Sequence, residues 1–232
     1  MKAAIRDFHS TSFQLASLFL LASTLLISPS ISQETFNDQR LQDSLTAQFY
    51  ETESPETKIQ VLLELAKSNR NDSAEYLMYL RQALSIAREN NLSEEETYVT
   101  YKLGWNYLGY GDILAKKYFL QLLDVSRKRN DPEWIGEGFN GLGVYYYDSG
   151  DIKRSIDYYE KALANYEKAG YVKGFGSIHN NLGISYRRLG DAVKALEHHF
   201  LAHSYRQAHD KKKCKTKLVQ YRECFFGPQA VL

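Results

Sequence analysis

The stretch Asn180-Asn181-Leu182-Gly183-Ile184-Ser185-Tyr186-Arg187-Arg188-Leu189-Gly190-Asp191 constrains this chain most, because the chain carries two earlier versions of it. Forty residues upstream stand Asn140, Leu142-Gly143, Tyr146 and Gly150-Asp151 at the same spacing. A third copy reads Leu103-Gly104, Tyr107, Gly111-Asp112, and its step to the next is 39. The missing residue lies in the turn: Ala115 follows Asp112 by three, whereas Ser155 and Ala195 follow Asp151 and Asp191 by four. A period in this range marks stacked repeats, each too small to bury its apolar face alone.

Each copy reads as a helix hairpin. Leu182, Tyr186 and Leu189 fall at helical spacing and give a first helix one apolar stripe. Gly190 ends it as a left-handed residue, and Asp191 caps the next helix. The second helix carries Ala195, His199 and Ala202, matched upstream by Ser155, Tyr159 and Ala162. Glycine at 143 and 183 lets the two helices approach closely. The expected pairs are 97–110 with 113–129, 135–148 with 152–169, and 175–188 with 192–209.

The pattern Leu-Gly-x-x-Tyr, Gly-Asp, Ala-x-x-x-aromatic, Ala resembles the tetratricopeptide repeat in a 40-residue form. Ala115-x-x-x-Phe119 matches its second-helix signature, and Ser155-x-x-x-Tyr159 differs by one small residue. The family's first-helix Trp is replaced by Phe139 and His179, and its terminal Pro is absent. The resemblance covers residues 97–209. It implies an all-α, right-handed superhelical solenoid of antiparallel helix pairs, with a concave face that binds proteins or peptides, and it names no particular partner.

The flanks are of other kinds. Lys2 and Arg6 precede an almost wholly apolar run, Phe13 to Ile27, and Ser30-Ile31-Ser32 offers a small-x-small cleavage site before Gln33. Residues 1–32 read as a signal peptide, so the chain is expected to be exported, periplasmic or secreted. The rival is a retained anchor over 13–27, although about 15 apolar residues fall short of the roughly 20 that span a bilayer. Residues 33–56 form a polar lead-in, with Leu41, Leu45 and Phe49 spaced for one short capping helix. Residues 57–92 read as a degenerate first repeat, so the repeat domain runs 57–209. The tail 210–232 breaks phase: a further copy is due at Arg222, Glu223 and Phe226, which do not fit. It reads either as a truncated end or as a divergent capping helix.

Formal net charge is +1, which argues for neither nucleic acid nor an anionic membrane as partner. No phosphate loop, nucleophile elbow or paired-carboxylate site is visible, so no enzymatic role, cofactor or metal is expected. His199 and His203 share a helical face, but His199 holds the packing position of Phe119 and Tyr159, and no third ligand stands at a defined offset. Cys214 and Cys224 lie in the tail and could pair in an oxidising compartment. The expected functional surface is the face of the first helices. Its candidate groove residues are Tyr101 and Trp105, then Asn140 and Tyr147, then Asn180, Asn181, Arg187 and Arg188. Asparagine amides offer an extended peptide both a donor and an acceptor. A second reading takes the chain as the extracytoplasmic sensor part of a membrane signalling enzyme, a histidine kinase or nucleotide cyclase.

Overall fold

A computed structural model of the 232-residue chain describes residues 29–70, 73–111 and 113–210. Most of the expected leader, Asp112, and the tail with both cysteines lie outside the described residues. Within them all regular structure is helical: α1 (Pro29–Glu51), α2 (Pro55–Ser68), α3 (Ser73–Glu89), α4 (Ser93–Gly109), α5 (Leu114–Lys128), α6 (Pro132–Asp148), α7 (Ile152–Ala169), α8 (Val172–Arg188) and α9 (Ala192–Asp210). No helix among the described residues is long and apolar enough to cross a membrane.

The chain divides into two units, residues 1–76 and 77–232, and α3 crosses the boundary. In the first unit α1 packs on α2. Gln42 Nε2 donates to Asn69 Oδ1 at 2.9 Å, and Lys58 Nζ lies 5.9 Å from the Phe49 ring centroid. The expected break at Ser54-Pro55 is a helix start, with Ser54 Oγ accepting from Thr57 N at 3.2 Å and Pro55 in the first turn. Leu45 and Phe49 are half-buried, but Leu41, the first residue of the expected stripe, is 51% exposed.

The second unit is a solenoid. Each helix packs on the next from α4 to α9, and the first helices also touch one another, α4 with α6 and α6 with α8. The first helices therefore form one closely spaced row. They begin three or four residues earlier than the apolar periodicity indicates. Asp131 caps α6 through Trp134 N at 3.3 Å with Pro132 following, and α4 opens on Glu94, Glu95 and Glu96. The turns are as expected. Gly150 and Gly190 sit at φ 86° and 83°, where a Cβ would be strained, and Asp151 and Asp191 accept from Arg154 N and Lys194 N at 3.1 and 3.0 Å.

One device recurs in the packing. The ring four residues beyond Ala115, Ser155 and Ala195 lies on the glycine of the first helix. A Cβ added at Gly104 would sit 2.7 Å from Phe119, at Gly143 2.5 Å from Tyr159, and at Gly183 2.8 Å from His199. Phe119 passes between two first helices, since Gly141 of α6 covers its other side. Tyr166 of α7 does the same further along, between Gly136 of α6 and Gly174 of α8, where an added Cβ would come to 2.5 and 2.6 Å. Second-helix rings thus reach through the first-helix row toward its far face.

Candidate functional site

That far face joins the sequence-expected residues to several that the sequence did not mark. On α4, Tyr101 and Trp105 lie one turn apart with centroids 6.2 Å from each other. Trp134 of α6 meets Tyr101 at 5.2 Å and Tyr98 at 6.3 Å, both edge to face, the arrangement ring quadrupoles favour. Trp105 rests on the edge of Phe119 at 5.5 Å, the ring that Gly104 and Gly141 let through. Its buried indole N–H makes no well-formed hydrogen bond and lies near the Tyr101 hydroxyl.

The polar centre is Glu137, one turn beyond Trp134 and half-buried. Burial pushes its carboxyl above the usual carboxylate range, although hydrogen bonds from Tyr166 and Asn140 favour the charged form. The same burial, with Glu137 and then Tyr171 adding to it, raises the Tyr101 hydroxyl to about 12. Tyr171 is raised by burial first and then by Glu137 and Glu133, and its ring lies 5.1 Å from Tyr166. Glu133, raised mainly by its own burial, adds a second carboxylate to this corner.

The asparagines are arranged differently from the expectation. Asn140, a candidate groove residue, is buried at 8% exposure and so is not open to a ligand. Its amide donates to Glu137, and its oxygen accepts from Asn181 Nδ2 at 3.5 Å. The pair joining successive repeats is therefore Asn140–Asn181, while Asn180 stays half-buried. The reason is local: Glu137 is partly buried beside Tyr166, and a carboxylate taken out of water needs donors. On α8, Arg188 stacks over Tyr147 at 5.0 Å and donates from Nη1 to the Tyr147 carbonyl at 3.3 Å. Arg187 is exposed. The face thus carries rings and carboxylates on α4 and α6, amides in the middle, and guanidinium groups on α8.

The histidines are a packing feature. His199 covers Gly183, as its place in the repeat requires. His179 and His198 meet at 3.0 Å through Nδ1, one donating and one accepting, inside a stack with Tyr186, Tyr205 and Phe175. Among the described residues no group of three or more His, Cys, Asp or Glu is placed to hold a metal ion. An open cavity of 670 Å³ lies elsewhere, lined by Arg88, Glu96, Ile113, Lys116 and Leu120 among others. It holds a satisfied ion pair, Arg88–Glu96 at 2.7 Å, rather than a convergent polar set.

No protein-family model matches the chain, and no curated protein matches it. Solved structures do. The chain is similar to BtubC (BKLC) from P. vanneervenii, with a TM-score of 0.64 and 20% identity, covering 90% of this chain and 93% of that one. It is also similar to aspartyl phosphate phosphatase F from Bacillus subtilis, with a TM-score of 0.67 and 16% identity, covering 81% of this chain. There the match spans half, 50%, of the other chain's length. At such identities the likeness is one of fold, and the fold these helix pairs build is a tetratricopeptide-type helical repeat.

Proposed function

We propose that the chain is a non-enzymatic scaffold that binds a protein or peptide segment along the row of α4, α6 and α8. The observation that carries this is the composition of that face. Half-buried aromatic rings, amides and both signs of charge are drawn from successive first helices, and their kind changes from one helix to the next. An extended chain has polar backbone groups at regular intervals and different side chains between them, so a regular row of helices with changing side chains suits it. Tyr101, Trp105 and Tyr147 supply apolar contact, while Asn180, Asn181, Arg187 and Arg188 supply hydrogen bonds. The leader over residues 1–32 supports export, with a retained anchor over 13–27 as the other outcome.

The test is selection of binders from a displayed library of random peptides, followed by titration against the variant Asn180→Ala/Arg187→Ala. Asn140 is left intact because it is buried. Binding weakened about tenfold or more in a folded variant supports the face. Unchanged binding moves the ligand elsewhere. Mass spectrometry of the mature N-terminus tests export, with cleavage expected between Ser32 and Gln33.

The second reading, a sensor part of a membrane signalling enzyme, is favoured by the outer stripe of α9. Leu196 is 75% exposed where its counterpart one repeat earlier, Ile156, is 8% exposed, and Val193 and Phe200 extend the stripe. A further helix pair stacked there would cover it.

A further inference from the structure

We propose that the α4–α6 part of this face is a receptor for one cationic side chain, an arginine of an extended peptide, seated over Glu137 and against the rings of Tyr101 and Trp134. This deepens the peptide-binding reading and rests on it.

Three observations converge. First, Glu137 is half-buried, yet its direct partners are uncharged: the Tyr166 hydroxyl and the Asn140 amide. Among the described residues it makes no ion pair, the pairs found being at other positions. Lys173 acts on it only as the weakest of several influences. A carboxylate taken partly out of water and left without a counter-charge gains more from a cation than an exposed one does.

Second, the surrounding rings present the electrostatics a cation seeks. Tyr101 and Trp134 lie 5.2 Å apart at 71°, so an edge-on ring and a ring face border the same corner. On neighbouring rings the chain stacks its own cations, Lys102 5.1 Å from the Tyr98 centroid beside Trp134 and Arg188 5.0 Å from Tyr147. Among the described residues no such cation lies over Tyr101 or Trp134. Third, Glu133 is the nearest further charge on α6 and has the same sign as Glu137, so α6 itself presents only negative charge to this corner, with Lys173 of α8 the one cation acting on both carboxylates.

Arginine fits better than lysine. Its planar guanidinium stacks on a ring while its N–H groups fork onto a carboxylate, and it sheds water more readily than an ammonium. Peptide polarity follows: arginine toward α4 and α6, with an acidic residue welcome toward Arg187 on α8.

Tryptophan fluorescence reads the site directly, since both tryptophans of the chain, Trp105 and Trp134, stand on this face. The probes are capped nonapeptides of glycine and serine with one central residue: arginine, its neutral isostere citrulline, or glutamate. Wild-type protein is expected to bind the arginine peptide about tenfold or more tightly than the citrulline peptide. In Glu137→Gln, checked for folding by circular dichroism, the two should bind alike. Equal binding of both by wild type overturns the inference, as does arginine preference persisting in Glu137→Gln. Preference for the glutamate peptide overturns it too, while leaving the peptide-binding reading standing. Saturable binding of none of the three overturns both.

Discussion

Tyr159 of α7 lies flat on Gly143 of α6, its Cδ1 and Cε1 each 2.5 Å from where a Cβ on residue 143 would stand. The ring is buried at 2% exposure and cannot swing into solvent without emptying the core it fills with Ile156, Leu182 and Ile178. Even a methyl group at 143 therefore forces helices apart. Gly143→Ala should lower stability by about 1–3 kcal/mol, and Gly143→Leu by at least as much. Adding Tyr159→Leu should recover part of the loss, because the two changes share one contact. Thermal denaturation of both single variants and the double variant measures the coupling.

Tyr166→Phe removes one of the two hydrogen bonds that Glu137 accepts. The expected cost is about 1 kcal/mol, with the Glu137 pKa rising further because the charged form loses a donor. Carbon-13 titration of the Glu137 carboxyl reads that shift, and an unchanged value would mean the hydroxyl does not reach it.

Asn140 and Asn180 occupy the same place in successive repeats and should behave oppositely. Asn140→Ala strips a donor from Glu137 and an acceptor from Asn181, so about 1–3 kcal/mol of stability should be lost. Asn180→Ala should change stability by less than about 0.5 kcal/mol. Chemical denaturation of both separates them.

Acid should weaken the α8–α9 pair. His179, 5% exposed, has its pKa pulled to about 3 by burial and then by His198, which is itself lowered, mainly by burial. Unfolded histidine titrates near 6.5, so below that pH the unfolded state binds more protons than the folded one. The contribution is complete above about pH 6.5 and is lost as pH falls toward 3. Around the pair stand Lys194, Glu197 and His199 of α9, and Glu160, which reaches Tyr186; Glu133 and Glu137, with raised pKa values, act in the opposite sense. His179→Phe, which restores the residue that Phe139 supplies one repeat earlier, should flatten the fall in Tm between pH 7 and pH 4. An unchanged slope would assign the acid sensitivity to other groups.

What was legible in the sequence is what repeats. Gly150, Gly190, Asp151 and Asp191 recur because every hairpin needs the same turn, and Phe119, Tyr159 and His199 recur because each second helix must cover a glycine. The lost residue near Asp112 shows in the ring-to-glycine spacing, 15 for Phe119–Gly104 and 16 for the other two pairs. The binding face was legible only in part. Trp134, Glu137 and Tyr166 have as counterparts in the last copy Gly174, Ser177 and Arg206, so no shared identity marks them. Their importance comes from contacts between helices, which a period along one helix does not encode. The burial of Asn140 beside Glu137 is a contact of the same kind and is equally unmarked in the sequence.

The central claim is that the ligand lies along α4, α6 and α8, and site-specific photo-crosslinking tests it most directly. A benzoylphenylalanine is placed at position 180 on α8, and in a separate protein at position 153, exposed on α7. Each is irradiated with a peptide selected from the displayed library. Crosslinks from position 180 and none from position 153 are the predicted result. Crosslinks from position 153 with none from position 180 would contradict the account.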